Sequence, residues 1–476
     1  MSQVKTIFKN TSWLMISQFI TSICGFLWTI LIARYLGASD FGILSFAISI
    51  MAIGGVFMDL GVSTYIVRDV SNRHELASEY LGKIIPLKLL LCVIVSSVVL
   101  FILNIFGYGY LTVNVTLLIA IETMFLSLNG LLQGIFQSYE KMEYQSKGVI
   151  LNSLFLLGTV LISLYFNLGL IGVSFAYLIP SMIAFIYYYI TLNKNITKPK
   201  YEVDYGFCKK ILKYSIPFGL TSIFYTIYFS IDMSMLGFLS TTSDVGVYNA
   251  AYKIISILTA FYVIYPSVIF PVMSKLYENS EELLKLSYEK SIKYLLIIVL
   301  PISVGVVIYA SPLINLIYGI EYISSSHIMQ VLVWTVPFLF INGASGIVLN
   351  SSHNEVAVTK IYGIAAITNI ILNFIMIPYI SYMGAAFATV ISEIVICVLM
   401  YYSIQKTPYH PDKKVAIDVI KVSFVSIIMG VVLSYFNINM FLGVIIGAIV
   451  YIIGLLLSRT VDDKDLSIVK EIIGKK

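Results

Sequence analysis

The sequence predicts an all-α polytopic membrane protein, on the grounds of its composition, its long apolar runs and an internal repeat. Of its 476 residues, 59% are hydrophobic and only 12% are charged, and the mean hydropathy is +0.92. Soluble domains carry about 25% charged residues. A chain of this composition cannot hide its apolar surface in a water-soluble fold, so we expect it to lie in a bilayer.

Apolar runs long enough to cross the hydrocarbon recur along the chain. A crossing of about 30 Å takes about 20 residues of helix, and each run must be helical because lipid offers no partner for an unpaired backbone N–H or C=O group. The eleventh and twelfth runs are separated only by Pro378 and the short segment 379–383. The runs predict about 14 transmembrane helices, at 12–34, 42–66, 84–107, 112–137, 148–168, 170–191, 212–237, 247–273, 291–311, 327–349, 359–379, 383–405, 415–436 and 439–458.

The distribution of lysine and arginine predicts the orientation. Positive charges gather on cytoplasmic loops, and with the N-terminus inside, the alternate loops and both ends hold nearly all of them. With this orientation, the lysines assigned to the cytoplasmic side include Lys83, Lys88, Lys290 and Lys293. It predicts a multi-pass protein of the cell membrane with both termini in the cytoplasm. The net charge of +5 is then an orientation signal rather than a sign of nucleic-acid binding, and membrane lipids are the expected surroundings.

Three pairs of matching motifs indicate an internal repeat. The offsets between copies lie between 204 and 213 residues, and the order is the same in both halves. Because each copy holds an even number of spans, the two copies have the same orientation and form parallel repeats. The matches are SDxG at 39–42 and 243–246, Asn-Gly at 129–130 and 342–343, each followed by a further glycine, and GxxFA at 172–176 and 384–388.

The repeat predicts how the chain is divided. Two six-helix bundles, 1–200 and 205–407, are followed by an appended transmembrane helix pair at 415–458 and a cytoplasmic tail at 459–476. Two facing bundles would enclose a central cavity, and rocking one against the other would expose that cavity to each side in turn. This arrangement predicts a transporter rather than an enzyme, and one chain encloses a complete pathway, so a monomer suffices.

Acidic side chains within the predicted spans are the first candidates for a functional site. A charge at the centre of a span costs about 2.5–3.5 kcal/mol on insertion scales and normally faces the protein interior. The candidates are Asp59, Glu122, Asp232 and Glu393. Each can bind a coupling H+ or Na+, or can instead accept a hydrogen bond or pair with a basic side chain.

Basic candidates are Arg34, Arg68 and Lys253. Lys253 is the sharpest, since it lies about two turns into a span without a charged neighbour in sequence. Facing a cavity, it can hold an anionic headgroup such as a diphosphate; the alternative is a salt bridge to Asp232 or Glu122 that only locks the bundle. Arg34 can instead extend to the membrane interface, and Arg68 can follow from the ordinary placement of positive charge.

Uncharged polar residues in the spans complete the candidate site. Gln18 and Asn249 can hydrogen-bond a sugar, or can simply join two helices. The chain has no GxxxxGK[ST] phosphate loop, and its four cysteines and four histidines lack the spacing of metal ligands. We therefore expect no catalytic residue, no cofactor and no metal.

Several segments resemble the Wzx-type polysaccharide flippases of the multidrug, oligosaccharidyl-lipid and polysaccharide exporter superfamily. The resemblance covers nearly the whole chain. It rests on NTSWLMISQFITSICGFLWTILIARYLGASDFG from Asn10, FMDLGVSTYIVRDV from Phe57, and SIPFGLTSIFYTIYFSIDMSMLGFLSTTSDVGVYNAAYKI from Ser215.

The resemblance implies a function. Such flippases move lipid-linked oligosaccharide, usually on undecaprenyl diphosphate and in archaea on a dolichol phosphate, from the cytoplasmic to the outer leaflet. For this chain it implies transport by alternating access for cell-surface polysaccharide or glycoprotein biosynthesis, with Arg34, Asp59, Arg68, Asp232 and Lys253 at the matching motif positions. The extra helix pair resembles the fourteen-span lipid II and polysaccharide transporters.

Two other functions compete with this one. An ion-coupled multidrug or cation antiporter of the related extrusion family would need its acidic cavity residues to dominate. A membrane-embedded glycosyltransferase or polymerase would usually need a large extracytoplasmic loop, and the nearest candidate, 311–326, is too short to hold an active site. We therefore expect the flippase, with the antiporter as the alternative.

Overall fold

A computed structural model describes residues 3–460 except 203 and 437. Each α-helix overlaps at least one of the apolar runs, and the described residues contain no strand. The α-helices are α1 Gln3–Asp59, α2 Val62–Asn72, α3 Ala77–Ile105, α4 Tyr110–Ser138, α5 Met142–Tyr165, α6 Gly169–Asn195, α7 Tyr205–Leu239, α8 Thr242–Asn279, α9 Glu281–Ile317, α10 Ser325–Leu332, α11 Thr335–Ser351, α12 Glu355–Ile404, α13 Lys413–Tyr435 and α14 Met440–Leu457.

Two helices each contain a kink where the sequence predicts a break between spans. In α1 the kink is at Gly37, whose φ of 71° lies in the left-handed region that glycine enters without steric cost. In α12 it is at Ile380 and Ser381, within the segment 379–383 that marks the predicted break. These kinks divide each long helix into two spans, as predicted.

Eleven segments of the described chain are long and apolar enough to cross a membrane. Two of them, Phe8–Asn72 with 65 residues and Glu355–Ile404 with 50, are more than twice the length of about 20 residues that one crossing needs. Each therefore has room for two crossings. α8 is not among the eleven, and its crossing stays a prediction from the sequence. The fold class is confirmed: the chain is a polytopic α-helical membrane protein.

The helices form two compact units, Met1–Asn249 and Ala250–Lys476, called unit 1 and unit 2 below. The boundary between the two units falls within α8. The boundary predicted at about 200–205 is instead the point where the second copy of the sequence repeat begins. The predicted bundle limits remain a prediction. Most of the predicted cytoplasmic tail, 461–476, lies outside the described residues.

The SDxG motifs of the two repeats contact each other inside unit 1. A Cβ added to Gly42 would lie 1.6 Å from the carbonyl oxygen of Thr242, and one added to Gly246 would lie 2.0 Å from that of Ala38. Each glycine thus touches the residue four positions before the other. This reciprocity is typical of two equivalent surfaces packed around a two-fold axis, and it requires glycine at both positions.

Asn-Gly motifs also make the same contact in each half. In unit 1 the side-chain amide of Asn129 donates to the carbonyl oxygen of Ser181 at 3.1 Å. In unit 2 Asn342 donates to the carbonyl oxygen of Glu393 at 3.0 Å. These partners are 213 and 212 residues apart, so the repeat recurs in tertiary contacts as well as in sequence.

Candidate functional site

The two arginine candidates do not form one cluster. Both are exposed in unit 1, but the part of α1 between Gly37 and Asp59 lies between them along the chain, a helix length of about 33 Å at 1.5 Å per residue. Arg68 lies at the α7 side of α2, with its guanidinium carbon 6.0 Å from the centre of the Phe218 ring. Arg34 lies just before the kink in α1.

Lys253 lies in α8 at the start of unit 2 and is half-buried. Among the residues of that unit which the structure describes, its ammonium has no ion-pair partner. A half-buried ammonium without a counter-charge in its own unit can accept an anionic ligand at little cost, because no existing pair has to be broken first.

Asp59 has a direct cationic partner. Its Oδ1 lies 2.5 Å from the Nζ of Lys88 in α3. The Lys88 side chain is fully buried, whereas the side chain of Asp59 is 27% exposed. The lysine of the pair is therefore buried, whereas part of the aspartate side chain is exposed. The structure thus pairs Asp59 with a basic side chain, and ion coupling through this residue stays a prediction.

Lys88 is held by more acceptors than it has donors. An ammonium carries three N–H bonds, and four acceptors surround Nζ. They are Oδ1 of Asp59 at 2.5 Å, the carbonyl oxygen of Ser127 at 2.7 Å, and the hydroxyls of Ser127 and Ser63, each at 3.1 Å. Residues from three other segments thus replace the water that the buried ammonium has lost.

The two oxygens of Asp59 differ in their contacts. Oδ1 accepts from Lys88 and also from the Ser63 hydroxyl, at 2.5 Å. Within the described part of the chain, Oδ2 receives only the backbone N–H of Ser63, with a long N–O distance of 3.4 Å. The accessible carboxylate therefore retains free lone pairs on one oxygen.

Asp232 and Asn249 both take part in helix packing within unit 1. The hydroxyl of Tyr248 donates to Oδ2 of Asp232 at 3.0 Å, and Asp232 is only 4% exposed. Asn249 donates from Nδ2 to the hydroxyl of Ser45 at 2.6 Å. Since 45 and 249 differ by the same 204 residues as the SDxG motifs, this bond joins equivalent positions of the two repeats.

The remaining candidates have other surroundings within their own units. Glu122 of α4 is near Tyr177 of α6, and no ion pair involves its carboxyl among the described residues. Glu393 is buried in unit 2, where Asn342 donates to its Oε2 at 2.7 Å. Gln18 is exposed on α1, with its Nε2 3.5 Å from the Ser22 hydroxyl. That the nine candidates form one site stays a prediction.

Lys88 and Lys293 lie within helices and not in the cytoplasmic loops to which the charge pattern assigned them. Both were counted with the cytoplasmic charges, yet Lys88 is fully buried and Lys293 is 4% exposed, each about three turns into its helix. Two signals were present in the sequence. Both residues lie inside predicted spans, 84–107 and 291–311, and they are 205 residues apart, which is the repeat offset.

Lys293 pairs with an acid of the appended helices. Its Nζ lies 3.7 Å from Oδ2 of Asp418 in α13, whose side chain is 10% exposed. Further along α9, Tyr451 of α14 donates to the carbonyl oxygen of Ile297 at 2.7 Å. Tyr309 of α9 donates to that of Ile438 at 3.0 Å. These contacts attach the appended pair along α9.

An apolar groove runs between α9, α11 and α13. Its volume is about 570 Å³, and its lining includes Val304, Ile308, Trp334, Ile427 and Tyr435. All of these residues belong to unit 2. The groove offers apolar surface to a hydrocarbon chain at the place where the appended helices join the unit.

The sequence matches a known family over more than half of its length. The profile described as "Polysaccharide biosynthesis protein" matches residues 7–277, and this range includes Asp59, Lys88 and Lys253. The chain belongs to this polysaccharide biosynthesis protein family. The MatE profile matches residues 217–375, and both matches place the chain in the exporter superfamily that its motifs resemble.

The chain is similar to other proteins over most of its length. A probable low-salt glycan biosynthesis flippase of Haloferax volcanii is 24% identical over 452 residues, covering 92% of this chain and 93% of that protein. An uncharacterized membrane protein of Methanocaldococcus jannaschii is 25% identical, with 86% of each chain covered. In fold, the chain is similar to the lipid II flippase MurJ in an inward closed conformation, with a TM-score of 0.76, 21% identity, and coverage of 94% of this chain and 98% of MurJ.

Proposed function

We propose that this protein is a flippase that moves lipid-linked oligosaccharide from the cytoplasmic to the outer leaflet of the cell membrane. The observation that carries the proposal is the near full-length similarity to a protein named as a glycan biosynthesis flippase, within a family described by polysaccharide biosynthesis. Transport by alternating access, with both termini in the cytoplasm and with the single chain as the working unit, is part of the proposal.

The headgroup is assigned to the basic candidates. A diphosphate carries at least two negative charges and binds best to cations that are not already neutralised. Lys253 meets this condition within its own unit. Arg34 and Arg68 of unit 1 are exposed, and a guanidinium group also binds a diphosphate well. The groove beside α13 is suited to the lipid chain, whose tail must stay in an apolar environment.

Reconstitution into liposomes tests this function directly. The protein should move a fluorescent polyprenyl diphosphate-linked oligosaccharide between leaflets, and Lys253→Ala should slow the movement by about tenfold because a charge-assisted contact is lost. Lys253→Arg should retain most of the rate. Lys275→Ala is the matched control, since Lys275 is an exposed lysine on the same helix. A wild-type protein that moves no lipid-linked glycan would contradict the proposed function.

The alternative is an ion-coupled antiporter for drugs or organic cations, which the MatE match over 217–375 favours. A cation site needs a carboxylate that no other group has neutralised. Asp59 does not meet this condition, because it is paired with Lys88. Glu122 has no ion pair among the described residues and is the carboxyl that such a cation site would use. Uptake of ethidium into the same liposomes under a Na+ or H+ gradient, without glycolipid movement, would support the antiporter instead.

A further inference from the structure

The Lys88–Asp59 pair suggests a role for Asp59 that goes beyond charge neutralisation. A buried lysine needs a counter-charge, but it does not need one whose carboxylate is also accessible. Here the lysine is fully buried and the Asp59 side chain is 27% exposed. Because an ionised carboxylate facing acyl chains is strongly disfavoured, the accessible side of Asp59 must face a polar, water-accessible region.

The pair also fixes the chemical state of that carboxylate. Lys88 and the Ser63 hydroxyl both donate to Oδ1, each at 2.5 Å, and donors of this kind stabilise the ionised form. An ionised carboxylate accepts hydrogen bonds and donates none. With Lys88 as counter-charge, the pair is neutral overall, so it attracts neither a metal cation nor a phosphate strongly. It suits a neutral ligand that brings its own donors.

Sugars are neutral ligands of this kind. Each ring presents hydroxyl or acetamido donors at its edge and an apolar C–H face. Tyr65, six residues after Asp59, stacks against Tyr214 of α7 with ring centroids 6.1 Å apart, and Tyr214 is 50% exposed. These rings offer aromatic surface on α2, the helix that follows Asp59, and on α7; aromatic surface and a polar orienting group are the usual elements of a small-ligand site.

We propose that the Asp59 carboxylate, held in place by Lys88, accepts hydrogen bonds from hydroxyl or amide groups of the glycan that the lipid carries. The free oxygen is Oδ2, which has only the long contact with the Ser63 backbone. This assignment rests on the proposed flippase function and names the part of the substrate that unit 1 recognises. Lys88 is a positioning residue, since it is fully buried and acts through Asp59.

The test compares two probes in liposomes containing the full-length protein. One probe is lipid-linked oligosaccharide extracted from the organism's own membranes, and the other is a polyprenyl diphosphate without sugar. The readout is the ratio of their flipping rates. Wild type should prefer the glycan-bearing probe, and Asp59→Asn should lower the ratio by about tenfold, since a site built around a substrate hydroxyl discriminates strongly against an analogue that lacks it.

Two further variants keep the test decisive. Asp418→Asn removes the carboxylate of the equivalent buried pair in unit 2 and should leave the ratio unchanged. If Asp59→Asn does not fold because Lys88 lacks its counter-charge, the double variant Asp59→Asn/Lys88→Met removes both charges and should show the same lowered ratio.

An unchanged ratio in the Asp59 variants, or a wild type without preference, would overturn the glycan assignment while leaving the flippase standing. A wild type that moves neither probe would overturn the proposed function, and the glycan assignment with it.

Discussion

The two buried lysines of the repeat, Lys88 in unit 1 and Lys293 in unit 2, occupy equivalent positions but have different partners. Lys88 pairs at 2.5 Å with an aspartate whose side chain is 27% exposed, whereas Lys293 pairs at 3.7 Å with one whose side chain is 10% exposed. The first acid, Asp59, comes from the span just before α2. The second, Asp418, comes from outside the repeat.

The difference shows that one position of the repeat, a buried lysine, takes part in a different arrangement in each unit. The buried lysine requires an acid wherever it occurs, because an unpaired charge in the interior is costly. In unit 1 the side chain of that acid, Asp59, is partly exposed. In unit 2 the acid is supplied by α13, so the same requirement attaches the appended helix pair. The final two helices, which the sequence left without a role, thus become part of unit 2.

The largest effect is expected when Lys88 loses its counter-charge. Asp59→Leu should destabilise the protein by about 3–5 kcal/mol, because a fully buried charge is left unpaired. The double variant Asp59→Leu/Lys88→Met should recover most of that loss. Reversible unfolding in mixed detergent micelles measures both. A double variant as unstable as the single one would show that the loss comes from packing rather than from charge.

A smaller loss is expected at the equivalent pair of unit 2. Asp418→Leu should cost about 1–3 kcal/mol, since the charges are 3.7 Å apart and interact less closely than those of unit 1. Lys293→Met in the same chain should again offset the loss. The same unfolding measurement applies. A loss at Asp418 larger than that at Asp59 would reverse the comparison.

The attachment of the appended helices can be weakened without touching the ion pair. Tyr451→Phe removes the donor to the Ile297 carbonyl oxygen and should cost about 1 kcal/mol, as expected for one hydrogen bond. Tyr435→Phe is the matched control, because Tyr435 of α13 is 80% exposed. Equal stability of the two variants would argue against the Tyr451 bond as an attachment point.

A third ion pair, at the end of α3, should show only a small effect that depends on pH. Asp204 accepts from the backbone N–H of Phe207 and from Lys83, both at 3.0 Å, and these two donors hold the pKa of Asp204 below its usual value. A lowered pKa gives stability that is present above about pH 4, the ordinary aspartate value, and is lost as the pH falls through the lowered value.

Asp204→Asn should therefore be slightly less stable than wild type at neutral pH, and the gap should close as the pH falls below about 4. Unfolding in mixed micelles across this range measures it. A gap that is independent of pH would mean that the carboxylate charge contributes nothing there.

Much of the fold could be predicted from the sequence, because the bilayer allows few alternatives. The break at 379–383 is confirmed by the kink at Ile380 and Ser381, and the SDxG motifs meet through Gly42 and Gly246. These features follow from local chain length, backbone geometry and repetition, all of which are visible in the sequence alone.

The candidate site was predicted only in part. Asp59 was identified, but its partner Lys88 was assigned to the cytoplasmic side, because a lysine near the end of a span follows the positive-inside pattern equally well. Its burial depends on Ser63 and Ser127, which reach it from other helices. Contacts of this kind belong to the tertiary structure and leave no mark on the periodicity of a single span.

Chemical labelling of the two acids tests the central claim most directly, namely that the equivalent lysines hold carboxylates with different roles. A water-soluble carbodiimide with an amine nucleophile would be applied to the protein in liposomes, with and without lipid-linked oligosaccharide, and the modified residues would be quantified by mass spectrometry. We expect Asp59 to be labelled and then protected by the glycolipid, while Asp418 stays unlabelled in both conditions. Labelling of Asp59 that the glycolipid leaves unchanged, or equal labelling of both acids, would contradict the account.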